Sequence, residues 1–108
     1  MNFTMNNETH HTNDEHIAEL SDIFSLLGDP TRLRLVLCCL NEPFAVTQIA
    51  QRLGVSTSLV SHHLRLLRAA RLVRAERRGK QVFCQVTDDH IRVMLLNLLA
   101  HIEEPHDD

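Results

Sequence analysis

Apolar residues recur at helical spacing near the start of the chain. Four of them follow one another at three- and four-residue steps: Ile17, Leu20, Phe24 and Leu27. This pattern predicts an amphipathic helix that ends near Leu27, where Gly28 interrupts it. Asp29 and Pro30 then predict a second helix from residue 30 to about residue 40, because aspartate caps free amides and proline suits the first helical position.

Two further helices are predicted in the middle of the chain. The first covers residues 46–53, and Gly54 supplies a turn after it. Ser56 is a capping residue for the second helix, which reaches about residue 70. Ala50, Gly54 and Val60 stand where two steeply crossing helices need close contact, a bend and an apolar anchor. This spacing predicts a helix-turn-helix.

The last third of the chain predicts a β-hairpin and a long helix. Residues 72–76 and 81–86 have the composition of strands, and Arg77-Arg78-Gly79-Lys80 between them is typical of a hairpin turn. Residues 87–89 are expected to cap a C-terminal helix that runs towards Glu104. Its apolar stripe consists of Ile91, Met94, Leu95, Leu98 and Leu99.

These elements predict a mainly α-helical fold with a small β-hairpin, a winged helix-turn-helix over residues 14–106. Residues 1–13 are polar and are expected to be a disordered tail. No secretory signal or apolar run of membrane-spanning length is visible among the 108 residues, so a cytoplasmic protein is expected. The three cysteines, Cys38, Cys39 and Cys84, are interpreted as free thiols packed as small hydrophobes.

Charge is distributed unevenly along the chain. The net charge is −3, yet the segment from Arg52 to Lys80 holds eight basic residues and one acidic residue, a local charge of +7. The remainder of the chain therefore carries −10. A basic middle between acidic ends is typical of a surface that contacts nucleic acid.

The predicted second helix of the motif has one face suited to DNA. With Ser56 as its cap, Val60 and Leu64 face the core, and short polar side chains occupy the opposite face near the helix N-terminus, the part that enters the major groove. The predicted β-hairpin is the wing of this fold. Its basic residues are expected to contact the DNA backbone or an adjacent minor groove. The candidate DNA contacts are Ser56, Ser58, Ser61, His62, Arg65, Arg77, Arg78 and Lys80.

Two histidines of the C-terminal helix point to a metal shared between chains. His90 and His101 are eleven residues apart and lie on nearly the same helix face. Their Cα atoms are then separated by roughly 16 Å, too far for one ion. Antiparallel packing of two such helices across a dimer axis brings His90 of one chain beside His101 of the partner subunit, and symmetry makes the site twice.

Carboxylates near each histidine complete a set of four ligands. Asp88 at the helix cap can converge with His90, and Glu104 lies one helical turn after His101. Two imidazoles and two carboxylates suit tetrahedral zinc, and a wider shell suits cobalt or nickel. His101 is also expected to donate its second ring N–H near residues 70–72, which would link metal to the DNA-binding helix.

The chain resembles the ArsR/SmtB metal-sensing repressors over about residues 14–105. The segment Gly28–Arg34 is similar to the second-helix signature of that family, and Ser58–Leu64 is similar to its recognition helix. Asp88 and His90, with His101 and Glu104 following, resemble the zinc-responsive branch. The resemblance implies a homodimer through the N- and C-terminal helices. It also implies that the apo dimer binds an inverted-repeat operator and that metal releases it, which derepresses metal efflux or sequestration genes.

Several alternatives remain open. Sensors of arsenic, cadmium and lead in the family carry cysteines in the first helix of the motif, whereas residues 44–50 here contain none. A nickel or cobalt sensor, with donors from His10 and His11, is the first alternative. A metal-independent repressor, or a redox-controlled one involving Cys84, is the second. A zinc hydrolase is disfavoured because the proposed ligands lie on a dimer seam without a substrate cleft, and no small-molecule substrate is expected.

Overall fold

Helices dominate the part of the chain that the computed structural model describes, residues 13–105. The elements in these residues are α1 (Asp14–Leu27), α2 (Pro30–Cys38), β1 (Phe44–Ala45), α3 (Val46–Leu53), α4 (Thr57–Ala69), β2 (Val73–Arg78), β3 (Gln81–Val86) and α5 (Asp89–Glu103). Over this range, none of the helices combines the length and the apolar character that crossing a lipid bilayer requires. His10, His11 and nearly all of the predicted tail lie outside the described residues.

Side-chain caps explain where four of the helices begin. In each, a side-chain oxygen accepts a hydrogen bond of 2.7–3.1 Å from the backbone N–H three residues later. The four capping residues are Asn13, Asp29, Ser56 and Asp88. Such a bond satisfies one of the amides that a helix start leaves free. The predicted caps at Asp29, Ser56 and Asp88 are confirmed.

The strands form one antiparallel sheet in the order β1-β3-β2, with β3 in the centre. The hairpin turn is shorter than predicted. Arg77 and Arg78 pair with Val82 and Gln81 as part of β2, so the prediction that they belong to the turn was wrong. The turn contains only two residues, of which Gly79 adopts a φ of 64° that glycine tolerates without strain.

Two further features differ from the sequence prediction. The strand β1 was not predicted, since two residues are too short to show an alternating pattern. It exists because Phe44 and Ala45 pair with Cys84 and Phe83 of β3. The helix α2 ends at Cys38, slightly earlier than expected, and the following residues turn towards the sheet.

The core lies between α2, α3, α4 and the sheet. Its largest fully buried side chains are Leu35, Val36, Cys39, Ile49, Val60, Leu67, Leu72 and Cys84. The helix α5 adds Leu95, which is 5% exposed. Every helix of the predicted helix-turn-helix therefore buries one face here and leaves the other free.

The outer helices α1 and α5 leave an apolar face uncovered in the single chain. Residues of the stripes predicted from the sequence remain exposed: Ile17, Leu20, Phe24, Leu98 and Leu99. Ile102 is 71% exposed. Between these helices and α2 runs an apolar groove of about 280 Å³. Within residues 13–105, a single copy of the chain does not bury this surface.

The left-handed turn between α3 and α4 gives a test of the fold. Gly54 has a φ of 69°, and a Cβ added there meets no atom within 4 Å. Gly54→Ala should therefore lower the free energy of unfolding by about 1 kcal/mol through backbone strain alone. Gly54→Asn should recover part of this loss, because asparagine tolerates the left-handed region. Urea denaturation measures both, and equal stability of all three proteins would contradict this turn geometry.

Candidate nucleic-acid interface and metal centre

The helix α4 separates an apolar inner face from a polar outer face. Val60, Leu64 and Leu67 are at most 6% exposed and pack into the core. The outer face presents the predicted contacts Ser58, Ser61, His62 and Arg65, all exposed. The Ser56 hydroxyl is already engaged, since it accepts the hydrogen bond that caps α4. The first turns of α4 therefore offer short polar side chains at a helix N-terminus.

A groove of about 340 Å³ separates α4 from the wing. Arg65 and Lys80, two of the predicted contacts, line it together with Arg68. Thr47 of α3 also borders this groove. Three cations around one concave surface suit a run of phosphates. Arg68 was not singled out from the sequence, although its position one helical turn after Arg65 was the available signal.

The wing arginines are held by contacts within the hairpin. Arg78 donates to the Glu76 carboxylate at 3.2 Å, and its guanidinium lies 4.7 Å from the centre of the Phe83 ring. Arg77 donates to the Gly79 carbonyl at 3.5 Å. Glu76 compensates part of the charge of Arg78, so the two arginines are not equivalent as contacts to DNA.

His63 is a buried histidine on the inner face of α4 that the sequence reasoning missed. It is 8% exposed, and its Nδ1 atom has no hydrogen-bond partner among the described residues. Burial lowers the pKa of His63, and the nearby Arg32 lowers it further, against a smaller opposing effect of Asp29. Its position three residues after Val60 was the signal that it faces inwards. A neutral imidazole is thus part of the packing beneath the polar outer face of α4.

The structure brings together only two of the four candidate metal ligands. Nδ1 of His90 lies 3.7 Å from Oδ1 of Asp88, at the start of α5. His101 and Glu104 lie at the other end of the same continuous helix, and both are exposed. In residues 13–105 of one chain, no three metal-binding side chains converge.

The chemistry of the two pairs fits a divalent transition metal. Each end of α5 offers one imidazole and one carboxylate, the donor types that zinc takes. The His90 side chain is 95% exposed, so its ring is free to turn towards an ion. Asp88 uses Oδ1 to cap α5 and keeps its second oxygen for another contact.

The start of α5 lies beside the end of α4. The Thr87 N–H donates to the Leu72 carbonyl at 3.1 Å. A cavity of about 310 Å³ there is lined by residues that include Arg71, Asp88 and His90. The expected neighbour of residues 70–72 was His101, but within one chain the His90 end of α5 occupies this place. The Thr87–Leu72 hydrogen bond thus joins the start of α5, where the candidate metal pair lies, to the segment that follows α4.

Comparison with known proteins concerns the helices and the first wing strand. The family described as "Bacterial regulatory protein, arsR family" matches residues 29–75, which run from the cap of α2 into β2. The chain is 36% identical over 90 residues to the transcriptional repressor SmtB homolog of Synechocystis sp., covering 83% of this chain and 68% of that protein. This chain belongs to the ArsR family. As a member of this family of DNA-binding transcriptional regulators, it is not an enzyme.

Two further comparisons concern sequence and fold. The regulator NmtR of Mycobacterium tuberculosis is 33% identical over 89 residues, or 82% of this chain and 74% of NmtR. The homodimeric winged helix-turn-helix DNA-binding domain of Mb0332 from Mycobacterium bovis superimposes with a TM-score of 0.74 at 22% identity, covering 90% of this chain and 96% of that one. The second likeness confirms the winged helix-turn-helix fold.

The groove between α4 and the wing predicts how one arginine acts. Arg68→Ala should weaken binding to any DNA duplex and reduce the slope of log K against log salt by about one unit, as for a lost phosphate contact. Arg92→Ala on α5 is the matched control, since Arg92 bonds with Asn41 and does not line the groove. Fluorescence anisotropy across a salt series measures both slopes. Equal slopes in the two variants would rule the groove out as the phosphate path.

His63 predicts how stability depends on pH. Because its pKa in the folded protein lies below the ordinary 6.5, the unfolded chain takes up a proton first as pH falls. This contribution to stability is complete above pH 6.5 and is lost below it, towards the lower pKa of the folded state. His63→Gln should make the free energy of unfolding depend less on pH in this window. His62→Gln, an exposed neighbour, is the control, and identical pH profiles for wild type and His63→Gln would refute the assignment.

Proposed function

We propose that this ArsR-family regulator is a homodimeric repressor that releases its operator when zinc binds across its two C-terminal helices. The observation that carries the proposal is the arrangement on α5, where an imidazole and a carboxylate stand at each end of one helix. Neither end alone completes a tetrahedral shell. Two antiparallel copies of α5 would complete two.

The uncovered apolar faces support a second copy as the partner. Exposed leucines of α5 continue into the apolar face of α1, and a contiguous patch of this kind typically marks an interface. Covering it with an identical surface gives a two-fold dimer, the commonest closed assembly. The protein Mb0332, which has the same fold, is described as homodimeric.

DNA binding by the proposed dimer follows from the polar face of α4 and the basic groove. In the dimer, the two α4 helices are related by a two-fold axis. They would match an inverted repeat whose half-sites are about one turn of the DNA helix apart. The wing cations then contact the flanking backbone. The name of the Synechocystis relative, a transcriptional repressor, supports repression as the outcome of binding.

The proposed metal site would be formed by Asp88 and His90 of one chain with His101 and Glu104 of the partner subunit. Bound zinc would supply a cross-link between the two α5 helices. Asp88 caps α5 and so fixes the backbone that carries His90. The Thr87–Leu72 hydrogen bond would transmit a shift of this end of α5 to the segment after α4. The two α4 helices of the dimer would then be held at a separation that does not match successive major grooves of DNA.

The genes under control would be those for metal efflux or sequestration, which are derepressed when the operator is released. Metal and operator oppose each other reciprocally, with a coupling of about 5- to 150-fold in affinity. Nickel or cobalt is the alternative effector. It would draw on His10 and His11 for a wider shell, and these lie outside the described residues.

A zinc titration of operator binding tests the proposal. His101→Ala should leave the affinity of the metal-free dimer for its operator nearly unchanged and abolish release by zinc, because each site loses one ligand. Glu104→Ala should weaken the response, whereas Glu103→Ala, its neighbour on α5, should behave as wild type. His101 is preferred to Asp88 here, since loss of the Asp88 cap would cost about 1 kcal/mol of stability by itself.

Gel shifts with zinc, cobalt and nickel, with and without chelator, supply the readout. Release by zinc at wild-type concentrations in the His101→Ala protein would overturn the ligand assignment. Release by nickel alone, lost on deletion of residues 2–12, would favour the alternative effector. A monomer in sedimentation experiments would overturn the dimer.

A further inference from the structure

Two of the three cysteines face each other inside the domain. Cys39 follows the last residue of α2, and Cys84 lies in the central strand β3. Their Sγ atoms are 3.0 Å apart, and both residues are 0% exposed. The expectation of free, buried thiols is confirmed for this pair. Neither the DNA-facing groove nor the candidate metal pairs use them.

The backbone imposes this approach of the two sulfur atoms. The Val86 N–H donates to the Cys39 carbonyl at 3.2 Å, which ties the end of α2 to β3. Cys84 is itself flanked on both sides, since it pairs with Phe44 of β1 and Ala75 of β2. A disulfide bond is about 2.05 Å long. The sulfur atoms therefore need to approach by only about 1 Å.

We propose that Cys39 and Cys84 are a modification site, at which a hydroperoxide converts the two thiols into a reversible disulfide that clamps α2 to the wing. One thiolate attacks the peroxide, so that an S–O bond forms, the O–O bond breaks and an alcohol or water leaves. The second sulfur then attacks the sulfenic sulfur, an S–S bond forms, the S–O bond breaks, and the hydroxyl leaves as water with the proton of the second thiol. The two thiols lose two electrons in total, and the hydroperoxide is reduced by the same number.

Burial makes this reaction slow while the domain is closed. The hydrogen bond with Cys84 raises the pKa of the Cys39 thiol, and desolvation raises it further. Because the thiolate is the reactive form, the pair reacts during local opening at the base of the wing. The Cys39–Cys84 pair is therefore oxidised only under sustained exposure to the hydroperoxide. A low concentration of urea, which promotes opening, should speed the reaction.

The disulfide would close a loop between residues 45 positions apart. This loop contains α3, α4 and β2, which form the helix-turn-helix and the first strand of the wing. Cross-linking restricts the unfolded chain, and for a loop of this length the melting temperature should rise by about 10 °C or more. Both sulfur atoms are fully buried, so the outer face of α4 is unchanged and the oxidised protein should keep its affinity for DNA.

Oxidation of the purified full-length protein with hydrogen peroxide tests this proposal. Peptide mapping without reductant should find residue 39 linked to residue 84 in the wild type. Melting curves with and without dithiothreitol should show the rise in melting temperature and its reversal. Cys39→Ala and Cys84→Ala should show neither effect. Cys38→Ala is the matched control, since it removes the adjacent, less buried thiol and should behave as wild type.

Three results would overturn the proposal. The first is sulfinic acid or chain-to-chain cross-links at Cys38 with no internal disulfide in the wild type. The second is an internal disulfide that leaves the melting temperature unchanged, which would remove the clamp. The third is a rise in melting temperature that persists in Cys84→Ala. Mapping of the wild type decides the site even if a core variant fails to fold.

Discussion

The burial of one face of α4 is the constraint on which the rest of the structure depends. Val60, Leu64 and Leu67 together bury enough apolar surface to contribute several kcal/mol, and this fixes the rotation of the helix about its axis. That rotation alone decides which side chains face outwards. Gly54, in the left-handed conformation, ends α3, and the strand after α4 begins the wing. The packing of α4 in the core therefore determines which of its side chains form the polar outer face.

Local signals predicted most of the fold, and nonlocal pairing accounts for what they missed. Asp29, Ser56 and Asp88 each cap a helix through a bond within their own segment, so the sequence around them suffices. Arg77 and Arg78 were assigned to a turn because glycine follows them, whereas their strand is defined by partners on β3. β1 exists only through such pairing.

The candidate site shows the same difference between local signals, which the sequence reveals, and nonlocal contacts, which it does not. Helical phase on α4 indicated the outward residues correctly, and extending it by one turn would have included Arg68. Spacing on α5 placed the four candidate ligands towards the two ends of one helix, and the structure places Asp88 and His90 at its start and His101 and Glu104 at its end. Contacts between segments far apart in the sequence could not be predicted. Nothing near Cys39 in the sequence points to Cys84, because their meeting depends on how α2 packs against the sheet.

The separation of the two ligand pairs along α5 has a consequence for mixed dimers. In a dimer of the proposed kind, each metal site takes its first pair from one chain and its second pair from the other. A homodimer with a defect at position 90 would lack one ligand in both metal sites and would not respond to metal. The same holds for a homodimer with a defect at position 101. Combined in one dimer, both defects fall in the same site and leave the other site whole. A mixed dimer of the two variants would therefore regain one complete metal site, which neither homodimer has.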